Sequence, residues 1–492
     1  MASSLPRRPG LMATRRAGMT ALLAAALLCV VGAQAPVQEI SYRFQYPRPG
    51  DAVVSIEVAW TTPLADARSL VMPRAIPMGY GEQRYDAFVT DVRAFTADGR
   101  RTTPEREEGP RWRLAAGVTR VAYRVDLRQM ERDVLAASDQ SRVRDGYLGA
   151  LGYSVFAYVD GEEARPTRLQ IEGPAGWPVL STLAPTSPTT AGPVDVRASG
   201  FYALADSQIV MGPRVVVRRL TTERPPLYLA AYSEGPVDLD RVGRLATTAF
   251  KRVIDYFGTV PFEHYTVHQE LLEPLTPQHN YGMSMEHLDS STYYLAASTG
   301  LTSASVADDE ARVLYNFAHH MAHAWVPKRV YGEGYFPFQW EVAPVLDSIW
   351  FAEGFGQYAA IMALAAGMPD PAAYRERLLN RRFRSNLSSA PRFLRRLPLV
   401  DLSRVASTRY SEDFRTGRLV FSRGGLMAAA VDERIQSETK GAKSLRDALR
   451  FMVAWSAREQ RGFRTNELAG LIQQATGVDV RAVIEQWLRP LP

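Results

Sequence analysis

The sequence predicts a multidomain α+β protein: a β-sandwich-like N-terminal domain, a mixed α/β domain and a C-terminal α-helical domain. Three observations carry this. The chain has 492 residues, more than one hydrophobic core usually organises. From about Ile40 to Arg218, short Val-, Tyr-, Phe- and Thr-rich segments alternate with Pro, Gly and Asp turns. From Leu227 onward, helical apolar spacing enters and then dominates. The expected divisions are residues 36–225, 226–370 and 371–492, preceded by an export signal over 1–35.

The signal is read from Arg7, Arg8, Arg15 and Arg16 without any acid, then the apolar run "MTALLAAALLCVVGA", then "AQA" before Pro36. The run is short for a membrane span, so a cleaved signal is favoured over a permanent anchor, and a periplasmic or secreted location follows. Strands are expected in "AVVSIEVAW", "TRVAYRVDL" and "YSVFAYV", and again in "YLAAYSEG". The first long helix is expected in "DLDRVGRLATTAFKRVIDYFG", with an Asp at its start and Gly258 at its end. After Pro369, "GGLMAAAVDERIQSETKG", "SLRDALRFMVAWSAREQ" and "TNELAGLIQQATG" each offer an apolar stripe and plausible caps.

Charge and cysteine content exclude several functions. Removing residues 1–35 takes four arginines and no acid, so the net charge falls from +6 to +2. No basic stripe survives to argue for nucleic acid. The one cysteine leaves with the signal, so any metal site must use His and carboxylates.

Three of the seven histidines lie in "FAHHMAHAW", Phe317 to Trp325. His319 and His323 are four positions apart, which puts them on one face of a helix with the spacing that grips a zinc ion. Two packed histidines beside Trp325 are the plainer reading of that spacing alone. Thirty residues on, "SIWFAEGFGQYAAIMALAAG" reads as a second helix with Glu353 near its first turn, where thermolysin-like zinc peptidases carry a third ligand. Upstream, "YGMSMEHLDSS" places Glu286 in a strand running into a loop.

Together "GMSMEHLDSS", "HHMAHAWVPKRV", "IWFAEGFGQY" and "FSRGGLMAAAVDERI" resemble the glycyl aminopeptidase family of zinc peptidases, metallopeptidase family sixty-one. Softer matches, such as "VMPRAIPMGYGEQRYDAFVTDVRAF", extend the similarity over most of the chain. The resemblance implies a thermolysin-like middle domain with Zn²⁺ held by His319, His323 and Glu353. It implies that Glu286 recognises a free peptide N-terminus. Many relatives carry a peptide-binding PDZ module, and none is expected here.

The resemblance also implies a pattern from which this chain departs. The family motif is His-Glu-x-x-His, and here the second position is His320. The glutamate is the general base for the zinc-bound water. Two replacements are chemically open: the His320 imidazole, ranked first, or another acid, with Glu286 and Glu341 in adjacent segments. A tyrosine hydroxyl that could steady the oxyanion is also gone from Val420-Phe421-Ser422-Arg423-Gly424, unless Tyr410 or another tyrosine supplies it. His287 is expected near the site but not on the metal. Asp347 is expected to cap the helix bearing Glu353. His264, His268 and His279 are expected to be structural, and "GYFPFQWE" to be either a cleft wall or a packed loop. The expected function is an exported zinc metallopeptidase of the aminopeptidase type, acting at peptide N-termini, with His320 as an altered base. The alternative is an inactive homologue that binds peptides or a protein partner.

Overall fold

The structure, a computed structural model, describes residues 38–136, 139–185 and 193–491. The export signal expected over 1–35 lies outside the described residues. Among them, no helix is long and apolar enough to cross a membrane.

The N-terminal region is built on a seven-stranded sheet in the spatial order Val194–Ala198, Thr167–Glu172, Ile40–Gln45, Val53–Ala59, Val118–Asp126, Val89–Thr96 and Arg101–Thr102. Ile40, Tyr42 and Phe44 alternate with exposed Ser41 and Arg43, so one face is buried and the other meets solvent. The buried face closes on the segment after Leu151: Tyr42 donates to the Ala157 carbonyl at 3.1 Å and Tyr123 to the Val155 carbonyl at 2.9 Å. That segment was expected to be a strand. Instead Gly152–Val155 forms a helical turn, and only Tyr158–Val159 is extended. Gly152 admits no side chain, because a Cβ there would meet the Leu204 carbonyl oxygen at 2.4 Å.

The middle region has a five-stranded sheet: β1 (Val216–Arg219), β2 (Leu227–Ser233), β3 (Tyr265–Leu272), β4 (Gly282–Glu286) and β5 (Ser290–Ala296). Their spatial order is β1-β2-β3-β5-β4, with β2, β3 and β5 parallel and β1 and β4 antiparallel at the edges. β1 lies ahead of position 226, so the sheet begins earlier in the chain than the sequence division. β3 is buried along its whole length, as a central parallel strand covered on both faces must be.

Helix α1 (Leu239–Phe257) begins where the Asp238 side chain accepts from the Arg241 amide at 2.9 Å, a cap that contributes about 1 kcal/mol. It ends at left-handed Gly258 (φ 71°). Helix α2 (Ala307–Ala322) and α3 (Gly356–Ala365) pack with α1. The C-terminal region is helical, led by the long α4 (Phe414–Glu438). Of the helices that follow it, Leu445–Glu459 starts at a reciprocal capping box of Ser444 and Asp447 and Leu468–Thr476 stops at left-handed Gly477 (φ 80°), as the sequence expects.

One contact ties α4 to the middle region. A single turn of π-helix, Trp350–Phe355, precedes α3 and lies against α4 so closely that a Cβ on Gly424 would meet the Trp350 carbonyl oxygen at 1.9 Å. A Cβ on Gly354 would meet Gly424 in turn. Two backbones in direct contact explain why glycine occurs in both "FAEGFG" and "SRGGL".

Candidate active site

α2 ends at Ala322, five positions before Pro327. His323 caps the helix with helical dihedrals (φ −65°, ψ −19°), so it still shares a face with His319. Their Nε2 atoms are 2.8 Å apart. Glu353 arrives on the π-helical turn, with Oε2 3.6 Å from each Nε2. His319, His323 and Glu353 thus converge as one cluster of potential metal ligands within 4.8 Å of one another.

The surroundings orient these donors. His323 Nδ1 donates to the Val326 carbonyl at 2.7 Å, which aims Nε2 into the cluster. Glu353 accepts from the Tyr80 hydroxyl at 3.1 Å and from Gln357 at 3.4 Å, and the Tyr315 hydroxyl donates to Gln357 at 3.2 Å. Burial, reinforced by His323, pushes His319 down to about 3, so its ring is neutral. Burial would also lower His323, but Glu286 and Glu353 beside it hold it up at about 9. Burial would raise Glu353, yet His323 and His319 keep it well below the usual carboxylate range. Two carboxylates around a neutral and a protonated imidazole leave a site where a divalent cation can take the place of the His323 proton. Two imidazole nitrogens and one carboxylate oxygen, with their outer partners in place, fit a zinc ion.

His320 is turned toward a second group. Its Nδ1 is 3.0 Å from Glu286 Oε2, and its Nε2 is 2.6 Å from Ser284 Oγ. Burial would raise Glu286, but His323 and the His320 contact hold it down at about 2. The carboxylate expected to meet a peptide N-terminus is therefore bonded to the imidazole expected to act as base. Glu341, the other acid considered as a replacement base, does not reach the site, because Arg111 holds it with two hydrogen bonds, one of 2.7 Å.

Other expectations resolve locally. Asp347 forms an exposed ion pair with Arg404 at 2.6 Å rather than capping a helix. His287 sits next to Glu286 but faces away, 3.0 Å from buried Asp206, which also pairs with fully buried Lys328 at 3.4 Å. His264 and His279 reach backbone carbonyls, and His268 is buried beside Glu270. "GYFPFQWE" is a packed loop: Tyr335, Phe338 and Trp340 are buried, and the Trp340 carbonyl accepts from the Arg74 and Ala75 amides. That contact anchors the loop carrying Tyr80.

Tyr80 is the residue that sequence reasoning missed. It comes from the N-terminal region, in "MGYG", and its backbone has φ 48° with Met78 at φ 64°. Two non-glycine residues in left-handed conformation mark a constrained loop, of the kind found at functional sites. Tyr410 does reach the cleft, ring to ring with Tyr80 at 6.1 Å. The cleft encloses about 550 Å³ and is lined by Tyr80, Ser284, Glu286, His319, His320 and Glu353, among others. Three arginines, Arg381, Arg382 and Arg418, also line it, with Arg382 stacked 3.6 Å over the Tyr315 ring.

Solved structures similar to this chain include zinc metallopeptidases. An aminopeptidase N family protein from Idiomarina loihiensis superposes with a TM-score of 0.81 at 17% identity, covering 92% of this chain and 76% of its own. A mutant M1 zinc metallopeptidase from Deinococcus radiodurans, bound to a Tyr-Ser-Ala substrate, gives 0.56 at 16% identity over 93% and 95%. Native yeast LTA4 hydrolase gives 0.55 at 12% identity over 93% and 68%. At such identities the likeness is one of fold. No curated protein matches the sequence. Residues 41–213 match the Peptidase M61 N-terminal domain and residues 312–409 match the M61 glycyl aminopeptidase domain, and the chain belongs to that family.

Proposed function

We propose that this chain is an exported, zinc-dependent peptide hydrolase of the aminopeptidase type, with His319, His323 and Glu353 as ligands and His320 in place of the family's glutamate base. The observation that carries the reading is the convergence of those three donors in a cleft of about 550 Å³. A zinc ion with three protein ligands supplies a Lewis acid that polarises a carbonyl and acidifies water. The remaining work falls to side chains. β4 is an edge strand, so a peptide can lie along it through main-chain hydrogen bonds. Tyr80 and Gln357 hold Glu353 in place, and the Tyr80 hydroxyl stays protonated because burial and Glu353 both oppose its ionisation. His320, oriented by Glu286, takes the proton that the glutamate takes in relatives.

The Glu286–His320 contact favours a second reading, because it occupies the group that would meet a substrate ammonium. In that reading the cleft binds peptides or a protein partner and hydrolyses nothing. Zinc content and chelator-sensitive peptide cleavage, measured on the wild type and on His320→Glu, separate the two. Zinc-dependent cleavage in the wild type that falls in His320→Glu supports the hydrolase. A wild type that is inert while His320→Glu cleaves supports the binding protein, and a wild type that takes up no zinc removes the metallopeptidase reading.

A further inference from the structure

We propose that Ser284, His320 and Glu286 form a nucleophilic triad beside the metal cluster, and that the cleft can transfer the acyl group of an ester or peptide to Ser284. The inference relies on the proposed function only for a cleft that admits a substrate carbonyl; it does not require the metal.

The arrangement follows from strand and helix geometry. Ser284 and Glu286 are two residues apart on β4, so their side chains leave the same face of the strand. His320, on α2, meets both. In the triad the Nδ1–H of His320 points across the 3.0 Å contact at the Glu286 carboxylate, which accepts it. Nε2 then carries a lone pair, 2.6 Å from Ser284 Oγ, and accepts the serine proton. Nucleophile, base and orienting acid stand in the order that recurs on unrelated folds, each ring nitrogen used once. The Tyr293 ring meets the imidazole edge-on at 5.5 Å and 85°, which limits its rotation. Accessibility runs the right way: Ser284 is half-buried and lines the cleft, whereas His320 and Glu286 are buried. β4 also pairs on one side only, so its outward backbone N–H groups are available to a developing oxyanion.

The step balances without an outside reagent. Ser284 Oγ attacks the carbonyl carbon and passes its proton to His320 Nε2. The bond from that carbon to the leaving nitrogen or oxygen breaks, and His320 gives its proton to the leaving group. Water then attacks the acyl-serine ester, losing a proton to His320, and Ser284 leaves with that proton restored.

The test is covalent labelling of the mature chain with a fluorophosphonate probe, in parallel zinc-loaded and EDTA-treated samples, read by intact mass and peptide mapping. The expected result is a single adduct on Ser284 in the EDTA-treated sample. Labelling should slow at least about 100-fold in Ser284→Ala and in His320→Gln, since triad members act as a unit. Zinc content of Ser284→Ala should match the wild type, and thermal melting should show each variant folded. Absence of an adduct on the wild type, or an adduct that persists in Ser284→Ala, overturns the triad and leaves the metallopeptidase reading untouched. Labelling of a protein that binds no zinc overturns the metallopeptidase reading and leaves the triad standing.

Discussion

Two carboxylates meet the "HHMAH" segment, and they are held there by different means. Glu353 belongs to a helical turn wedged against α4 through Gly354 and Gly424, and a tyrosine and a glutamine bond it from outside. Glu286 ends an edge strand, and its side-chain partner is the exchangeable imidazole of His320. The first is fixed by backbone contact, which leaves it little room for displacement. The second is fixed by one hydrogen bond whose partner can also move a proton. The two halves of the cleft therefore fail differently when perturbed.

The comparison breaks most completely at His323, which sees both acids. His323→Ala should take zinc from about one ion per chain to almost none by atomic absorption. Next in size is the support behind Glu286, where His287 and the Leu288 amide bond to Asp206. Asp206→Ala strands fully buried Lys328 and should cost about 3–5 kcal/mol in urea unfolding. The same group gives a pH dependence. Burial would raise the Asp206 carboxyl, but Lys328 and His287 hold it below its ordinary value. Its stabilisation is complete above the unfolded value of about 3.9 and is lost as pH falls through the lower folded value, so the urea midpoint should drop as the pH is taken below about 4.

On the Glu353 side, Gly424→Ala forces the α4 backbone off the π-helical turn and should cost about 1–3 kcal/mol, read as a lowered melting temperature. Tyr80→Phe should weaken zinc binding by about tenfold with little loss of stability, since it removes one outer partner of the proposed ligand Glu353. Equal zinc affinity in Tyr80→Phe and wild type would show that Glu353 is positioned without the Tyr80 hydroxyl. Arg404→Ala, which breaks the exposed pair with Asp347 next to the turn, should leave the melting temperature almost unchanged, because water already screens the pair.

Legibility in the sequence follows the range of the interaction. The helix spacing of His319 and His323, the strand carrying Glu286, the Asp238 cap and the Gly258 and Gly477 stops all depend on a few neighbouring residues, and each is where local rules put it. The segment after Leu151 was misread as a strand because its helical turn is imposed by contacts with Leu204 and Ala205, about fifty positions away. Glu341 was a reasonable candidate base from its position in the chain, and only its pairing with Arg111, from another domain, removes it.

The sequence by itself determined most element types, the family resemblance and most of the residues able to carry chemistry, because propensity, capping and side-chain spacing act over one or two turns. The tertiary structure decided which of those residues meet. Tyr80 reaches Glu353 across 273 positions of chain, and His320 is placed between Ser284 and Glu286 by the docking of α2 against an edge strand. Such meetings depend on the packing of whole layers against one another, which no local pattern of residues encodes.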